Sequence, residues 1–144
     1  MINHNHLSVA DIQYRIDQSL FHQLFKPEVL GVDNEQAELK LQVSMCPQFE
    51  RQPDTNQWHG GVLASLVDIA GFSALMLVAK DRPLLTLNFS INFLRLAVSD
   101  TLIATAKVTR SGRTVGFVEV IVHNQEKEVV VTGHACYAIR PSQT

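Results

Sequence analysis

The residues of this chain best placed to do chemistry stand together in Trp58-His59-Gly60-Gly61-Val62-Leu63-Ala64-Ser65-Leu66-Val67-Asp68. His59-Gly60-Gly61 opens a run from Gly60 to Ala79 whose only charged member is Asp68. A carboxylate alone on so apolar a stretch is costly to bury, which marks it as a candidate general base or nucleophile. The glycine pair falls where a helix would begin. There the first backbone N–H groups have no internal partner and the helix dipole favours negative charge. Two glycines let a substrate carbonyl come close to those donors. The chemistry implied is attack on a carbonyl, with the oxyanion held at Gly60 and Asp68 either taking a proton from water or attacking directly.

Asp68 lies eight residues beyond Gly60, about 12 Å along a helix axis. One small reacting centre cannot touch both groups in the same chain, so a site that uses both needs a second copy of the protein. The spacing therefore predicts a homodimer with shared active sites, and leaves open whether dimers pair further into tetramers. Plainer readings exist for each residue. Asp68 would serve equally as a buried acid bonded to backbone N–H groups or to an arginine. The glycines would serve a tight turn into the helix. A lone His59 would serve to hold the loop.

His-Gly-Gly, six residues and Asp on an apolar helix resembles the hotdog-fold acyl-CoA thioesterases of the phenylacetyl-CoA thioesterase type, in the 4-hydroxybenzoyl-CoA thioesterase superfamily. The resemblance continues in Leu87-Asn88-Phe89-Ser90-Ile91-Asn92-Phe93-Leu94-Arg95 and in Arg110-Ser111-Gly112-Arg113-Thr114-Val115-Gly116-Phe117, and spans most of residues 35–139. It implies hydrolysis of an acyl-CoA thioester to free acid and coenzyme A, with Asp68, Gly60 and His59 catalytic. Gly61 and Thr86 fall in its substrate site, Thr86 where relatives carry a hydroxyl near the attacking water. No metal and no cofactor is implied beyond the coenzyme A of substrate and product, because helix N–H groups stand where a Lewis acid would.

The two cations and the glycine of Arg110, Ser111, Gly112, Arg113 and Thr114 sit at an expected hairpin turn suited to coenzyme A phosphates, and equally suited to a solvated tip. Arg95 is a second candidate of the same kind. Two departures stand out: Pro53 occupies the place of an asparagine six residues before the His, where Asn56 or Gln57 would have to substitute, and Leu96 follows Arg95 where relatives have proline. The alternative is a non-catalytic acyl-CoA binding or sensing protein that keeps the pocket.

At 144 residues, 46% hydrophobic and 18% charged, the chain fits a single globular domain over 1–144, with a flexible tail at 1–7. A net charge of −2 without a basic run gives no nucleic-acid surface. Cys46 and Cys136, with no signal-peptide pattern ahead of them, read as reduced thiols of a cytoplasmic protein. The apolar run reaches the length of a membrane span. Asp68 near its centre would cost about 3 kcal/mol on insertion, so a helix buried by its own sheet is the cheaper solution.

The elements that must position these residues follow from periodicity. Ser8 and Asp11 predict a capped helix start, and Val9, Ile12, Ile16, Leu20 and Leu24, widened by Phe21 and Phe25, predict one helix ending before Pro27. Alternation over 36–44 predicts a strand with Ala37, Leu39, Leu41 and Val43 inward. A polar loop over 46–58 leads to the long helix. Four strands follow, at 84–94, 101–110, 115–124 and 128–139, and the short links between the last three permit only hairpins. One long helix wrapped by a curved antiparallel sheet of five or six strands, with an N-terminal helix, satisfies every burial demand. This is the α+β hotdog fold.

Overall fold

A computed structural model describes residues 6–142. The described residues form a six-stranded antiparallel sheet around a central helix. Helices α1 (Val9–Asp17) and α2 (His22–Phe25) precede strands β1 (Glu28–Asp33) and β2 (Glu38–Ser44). A 3-10 turn at Pro47–Phe49 leads through a loop to α3 (Gly60–Ala79). Strands β3 (Leu84–Phe93), β4 (Thr101–Ser111), β5 (Val115–His123) and β6 (Val129–Ile139) complete the fold. The order across the sheet is β1-β2-β4-β5-β6-β3. The chain therefore passes from β2 over the positions of β4, β5 and β6 to reach β3, which lies at an edge.

The sequence explains the layers. On β2, Leu39, Leu41 and Val43 are buried while Lys40 and Ser44 are exposed, and β4, β5 and β6 keep the same alternation. Their inward residues meet α3, which is long and apolar enough to cross a membrane and is here the core helix, with Leu63, Leu66, Val67, Ala70, Ala74 and Leu75 buried. Close approach of helix and sheet depends on missing side chains. A Cβ on Gly133 of β6 would stand 2.7 Å from Val67, and one on Gly116 of β5 would stand 2.6 Å from Leu75.

Two N-terminal expectations need correction. The capping box at Ser8 and Asp11 forms, but the helix does not run to Pro27. It stops at Asp17 and resumes as the single turn α2. Leu20 and Leu24 are 80% and 65% exposed, whereas Ile12, Ile16 and Phe25 are buried. The break brings Phe25 inward, where its ring stacks on Phe49 at 5.2 Å, a contact that a continuous helical stripe does not provide. Strand β1 was not expected, because Glu28-Val29-Leu30-Gly31-Val32-Asp33 lacks clean alternation. A register shift between Val29 and Gly31 interrupts its pairing with β2. Of the expected tail over 1–7, residues 1–5 lie outside those described. Leu7 is held by reciprocal bonds with the Asn34 amide, at 3.1 and 2.8 Å.

Candidate active site

The loop before α3 is fixed from several sides. The Glu50 carboxylate accepts the backbone N–H groups of Thr55 at 2.9 Å and Asn56 at 2.7 Å. Trp58 is buried, its indole N–H donating to Ser99 O at 2.8 Å, and its ring packs 5.9 Å from Phe49. Phe25, Phe49 and Trp58 thus form an aromatic ladder from the N-terminal segment to the helix start. Asn56 and Gln57, the candidates to replace the asparagine displaced by Pro53, bond elsewhere. The Asn56 amide donates to Asp100 at 3.0 Å, and Gln57 Oε1 accepts from Arg51 at 3.0 Å.

His59 is the N-cap of α3, extended at φ −66° and ψ 137°. Its Nδ1 accepts the Gly61 N–H at 2.9 Å, and its carbonyl accepts from Val62 at 3.0 Å and Leu63 at 3.1 Å. An accepting Nδ1 carries no proton, so the ring's N–H is on Nε2. Three of the first N–H groups of the helix are therefore taken up by one residue. That of Gly60 has no acceptor among the described residues. A single oriented donor at a positive helix end is left for a ligand. Phe93, from the end of β3, lies beside it, its ring carbons 3.7 Å from where a Gly60 Cβ would be. A groove of about 460 Å³ opens there between Arg51, Gly60, Leu63, Phe93 and Arg95. Arg95 is ion-paired with Glu128.

Asp68 stands two turns along the helix and is half-buried. The Thr86 hydroxyl, from the start of β3, donates to its Oδ1 at 2.9 Å. Thr86 pairs with Tyr137 on β6, and Tyr137 with Gly116 on β5. That line across the sheet ends beside the β4–β5 hairpin, so the hairpin lies at the Asp68 end of the molecule. There Arg110, Ser111, Gly112, Arg113 and Thr114 are all exposed, and neither guanidinium has an ion-pair partner among the described residues. Arg82 braces the tip, donating to the carbonyls of Arg113 at 2.7 Å, Arg140 at 2.9 Å and Ile139 at 3.1 Å. Arg110 borders a groove of about 490 Å³ on the outer face of the sheet, with Asn88, Ser90, Phe117 and His134.

The candidate residues therefore fall into two groups within one chain. Asp68, Thr86 and the arginine hairpin are at one end of β3; His59, Gly60, Gly61 and Arg95 are at the other. Sequence reasoning missed Phe93, Tyr137 and the outer-face residues. Only position on a strand face signals them, and that becomes legible once strand register is known.

Comparison with known proteins agrees with this architecture. Residues 56–131 match the Thioesterase superfamily, an interval containing every candidate that the sequence itself offered, from His59 to Thr114. A protein of Halobacterium salinarum bearing a provisional esterase name is 36% identical over 101 residues, which are 65% of this chain and 66% of that one. The chain thus spans just under two thirds of that relative's length. A solved structure of a thioesterase superfamily protein superposes with a TM-score of 0.84 at 26% identity, covering 92% of this chain and 98% of the other. The Escherichia coli PaaI protein, from the phenylacetic acid degradation operon, gives 0.75 at 19% identity, covering 94% and 99%. A hypothetical thioesterase from Streptococcus pneumoniae, solved with coenzyme A, gives 0.77 at 18% identity, covering 92% and 99%. With its six-stranded antiparallel sheet closed around α3, this chain has the hotdog fold and belongs to the thioesterase superfamily.

Proposed function

We propose that this protein is an acyl-CoA thioesterase, working as a homodimer whose two sites each draw on both chains. The observation that carries the reading is the separation of the Gly60 N–H from the Asp68 carboxylate, joined by a strand edge, where neither the N–H nor the edge has a partner among the described residues. Strand β3 runs from the Asp68 end to the Gly60 end, and Leu85, Leu87 and Phe93 along it are more than half exposed. Antiparallel pairing of β3 with β3 of a second copy about a two-fold axis brings Asp68 of one chain toward Gly60 of the other.

In each site the Gly60 N–H polarises the thioester carbonyl and holds the oxyanion. Asp68, held by Thr86, takes a proton from water as the water oxygen bonds to the carbonyl carbon. Collapse breaks the C–S bond, and the proton passes to the departing thiolate of coenzyme A. If Asp68 attacks the carbonyl itself, a mixed anhydride forms and water then cleaves it, with the same products. His59 sets the helix start. Coenzyme A in the Streptococcus pneumoniae structure supports that thiol as the carrier, and Arg110 and Arg113, which have no ion-pair partner among the described residues, suit its phosphates. Arg95, ion-paired at the Gly60 groove, is a contact for the same substrate. The reaction requires neither a metal nor a further cofactor, and the reading places the protein in the cytoplasm.

The test is complementation. Asp68→Asn lacks the base. Gly60→Pro lacks only the N–H, since proline is well tolerated at the first helical position and His59 already has the extended backbone that a following proline requires. Against a panel of acyl-CoA thioesters with a thiol-trapping reagent, each homodimer should turn over at least about a hundredfold more slowly than wild type. Mixed dimers should recover about half of wild-type activity from their single intact site. Turnover of no thioester by the wild-type protein would favour an acyl-CoA binding or sensing role. Inactive mixed dimers, with exchange verified, would place each site within one chain.

A further inference from the structure

Tyr137 has no part in the chemistry above, yet it touches Asp68. It is fully buried on β6, and its hydroxyl donates to the Asp68 backbone carbonyl at 3.0 Å. Its pairing partner on β3 is Thr86, whose hydroxyl donates to Asp68 Oδ1 at 2.9 Å. Two hydroxyls from paired positions on neighbouring strands therefore converge on one helical residue. One holds its backbone and the other its carboxylate.

Three features show that this arrangement is built into the fold. A Cβ on Gly71, one turn beyond Asp68, would stand 2.5 Å from the Tyr137 hydroxyl, so that hydroxyl fills the space any side chain at this position would take. Phe72 meets the Tyr137 ring edge-on at 5.8 Å and 83°, which fixes the ring. Immediately after Thr86 the β3–β6 register shifts, between Thr86 and Asn88, the kind of irregularity that re-aims a side chain. A helical carbonyl also has a second lone pair free once its own N–H partner is bound, and Tyr137 uses the one on Asp68.

We propose that Tyr137 is a positioning residue for Asp68: together with Thr86, and with room made by Gly71, it sets the height and rotation of α3 so that the carboxylate faces the β3 edge. This rests on the reading of Asp68 as the reacting acid. Burial, reinforced by the neighbouring Asp68 charge, pushes the phenol far above its ordinary range, so the hydroxyl stays a protonated donor.

Tyr137→Phe deletes the hydroxyl alone. The expected result is a kcat about tenfold lower with KM within about twofold, the pattern of a misplaced reacting group rather than a weakened substrate contact. Gly71→Ala should give a similar fall by pushing against the hydroxyl. Combined with Tyr137→Phe it should add little, because the new methyl then meets only ring carbons at 3.4 Å. Introduced into Asp68→Asn, Tyr137→Phe should leave the residual rate unchanged. An unchanged kcat in Tyr137→Phe, beside an inactive Asp68→Asn, would overturn the positioning role and leave the Asp68 reading intact. Multiplicative losses for Gly71→Ala and Tyr137→Phe would overturn it as well. A fully active Asp68→Asn would remove the reading on which it rests. Should Tyr137→Phe fail to fold, Gly71→Ala decides alone, an unchanged kcat counting against the proposal.

Discussion

The sheet has two edges, and they are finished differently. At the β1 edge the strand is six residues long, its pairing with β2 is broken by a register shift, and its ends are Glu28 and Asp33. Gln13 of α1 reaches across, accepting from the Val29 N–H at 2.8 Å and donating to the Pro27 carbonyl at 2.9 Å. At the β3 edge the strand is ten residues long. Leu85, Leu87, Phe89 and Phe93 face solvent, and no helix lies over them among the described residues. Proteins blunt the edges they keep bare with shortness, charge, bulges and covering segments. Strand β1 has all four, whereas β3 carries a bulge and an apolar surface. The contrast teaches that one edge is closed by the chain itself, while the other is left open among the described residues, as the proposed pairing with a second copy requires.

The largest effect should come from spoiling the open edge. If β3 pairs as proposed, Leu87→Arg combined with Phe89→Glu should shift the protein to monomers in sedimentation and lower turnover by at least about a hundredfold, since each site would lose half of its groups. Leu30→Glu, the matching insult to the β1 edge, should change neither. An active monomer, or equal sensitivity at both edges, would erase the distinction. Next in size, alanine at both Arg110 and Arg113 should raise KM about tenfold with little change in kcat, since a phosphate contact acts in ground and transition states alike. The difference from wild type should narrow at high salt, where the wild-type contact is itself screened. A fall in kcat alone would point to a distorted hairpin instead.

Smaller effects sharpen the closed edge. Gln13→Ala leaves the Val29 N–H and Pro27 carbonyl without their partner and should lower stability by about 1–2 kcal/mol in urea titration, with normal turnover. Ser8→Ala should cost about 1 kcal/mol through loss of the helix cap. Asp11, bonded to the Ser8 backbone and hydroxyl, has its carboxyl held below the ordinary range. A depressed folded-state value means the bond stabilises above the unfolded value and is lost as pH falls through the folded one. The stability gap between wild type and Ser8→Ala should therefore narrow in acid by the share due to the Ser8 hydroxyl–Asp11 carboxylate bond, while the share from the Asp11 N–H to Ser8 Oγ bond remains; a constant gap would show that the hydroxyl–carboxylate bond contributes nothing to the cap.

Much of this architecture was legible in the residues. Gly60 and Ala79 bound α3 as the uncharged run around Asp68 suggested, and β4, β5 and β6 lie within a residue or two of their alternating stretches, because both faces of those strands are decided locally by burial. The N-terminal segment was misread for the opposite reason. Leu20 and Leu24 keep helical spacing but face solvent, and what breaks the helix is the seat of Phe25 against Phe49, a contact made with a remote loop. Among the candidate residues, His59, Gly60 and Asp68 stood out by type and spacing. Tyr137 did not: it reaches Asp68 across 69 positions, and one buried tyrosine on an alternating strand looks like any other core residue.

The division of the candidate residues between the two ends of β3 also fixes how the reaction should depend on the amount of protein. A chain that holds a complete site works at a rate per molecule independent of dilution. On the proposed reading a lone chain contributes two unmatched halves, so turnover per chain should follow the fraction of chains that have met, and that fraction falls on dilution below the dissociation constant of the pair. Far below it the rate should rise with the square of concentration. An open strand edge that completes the site would thus make the kinetics, at high dilution, second order in the catalyst itself.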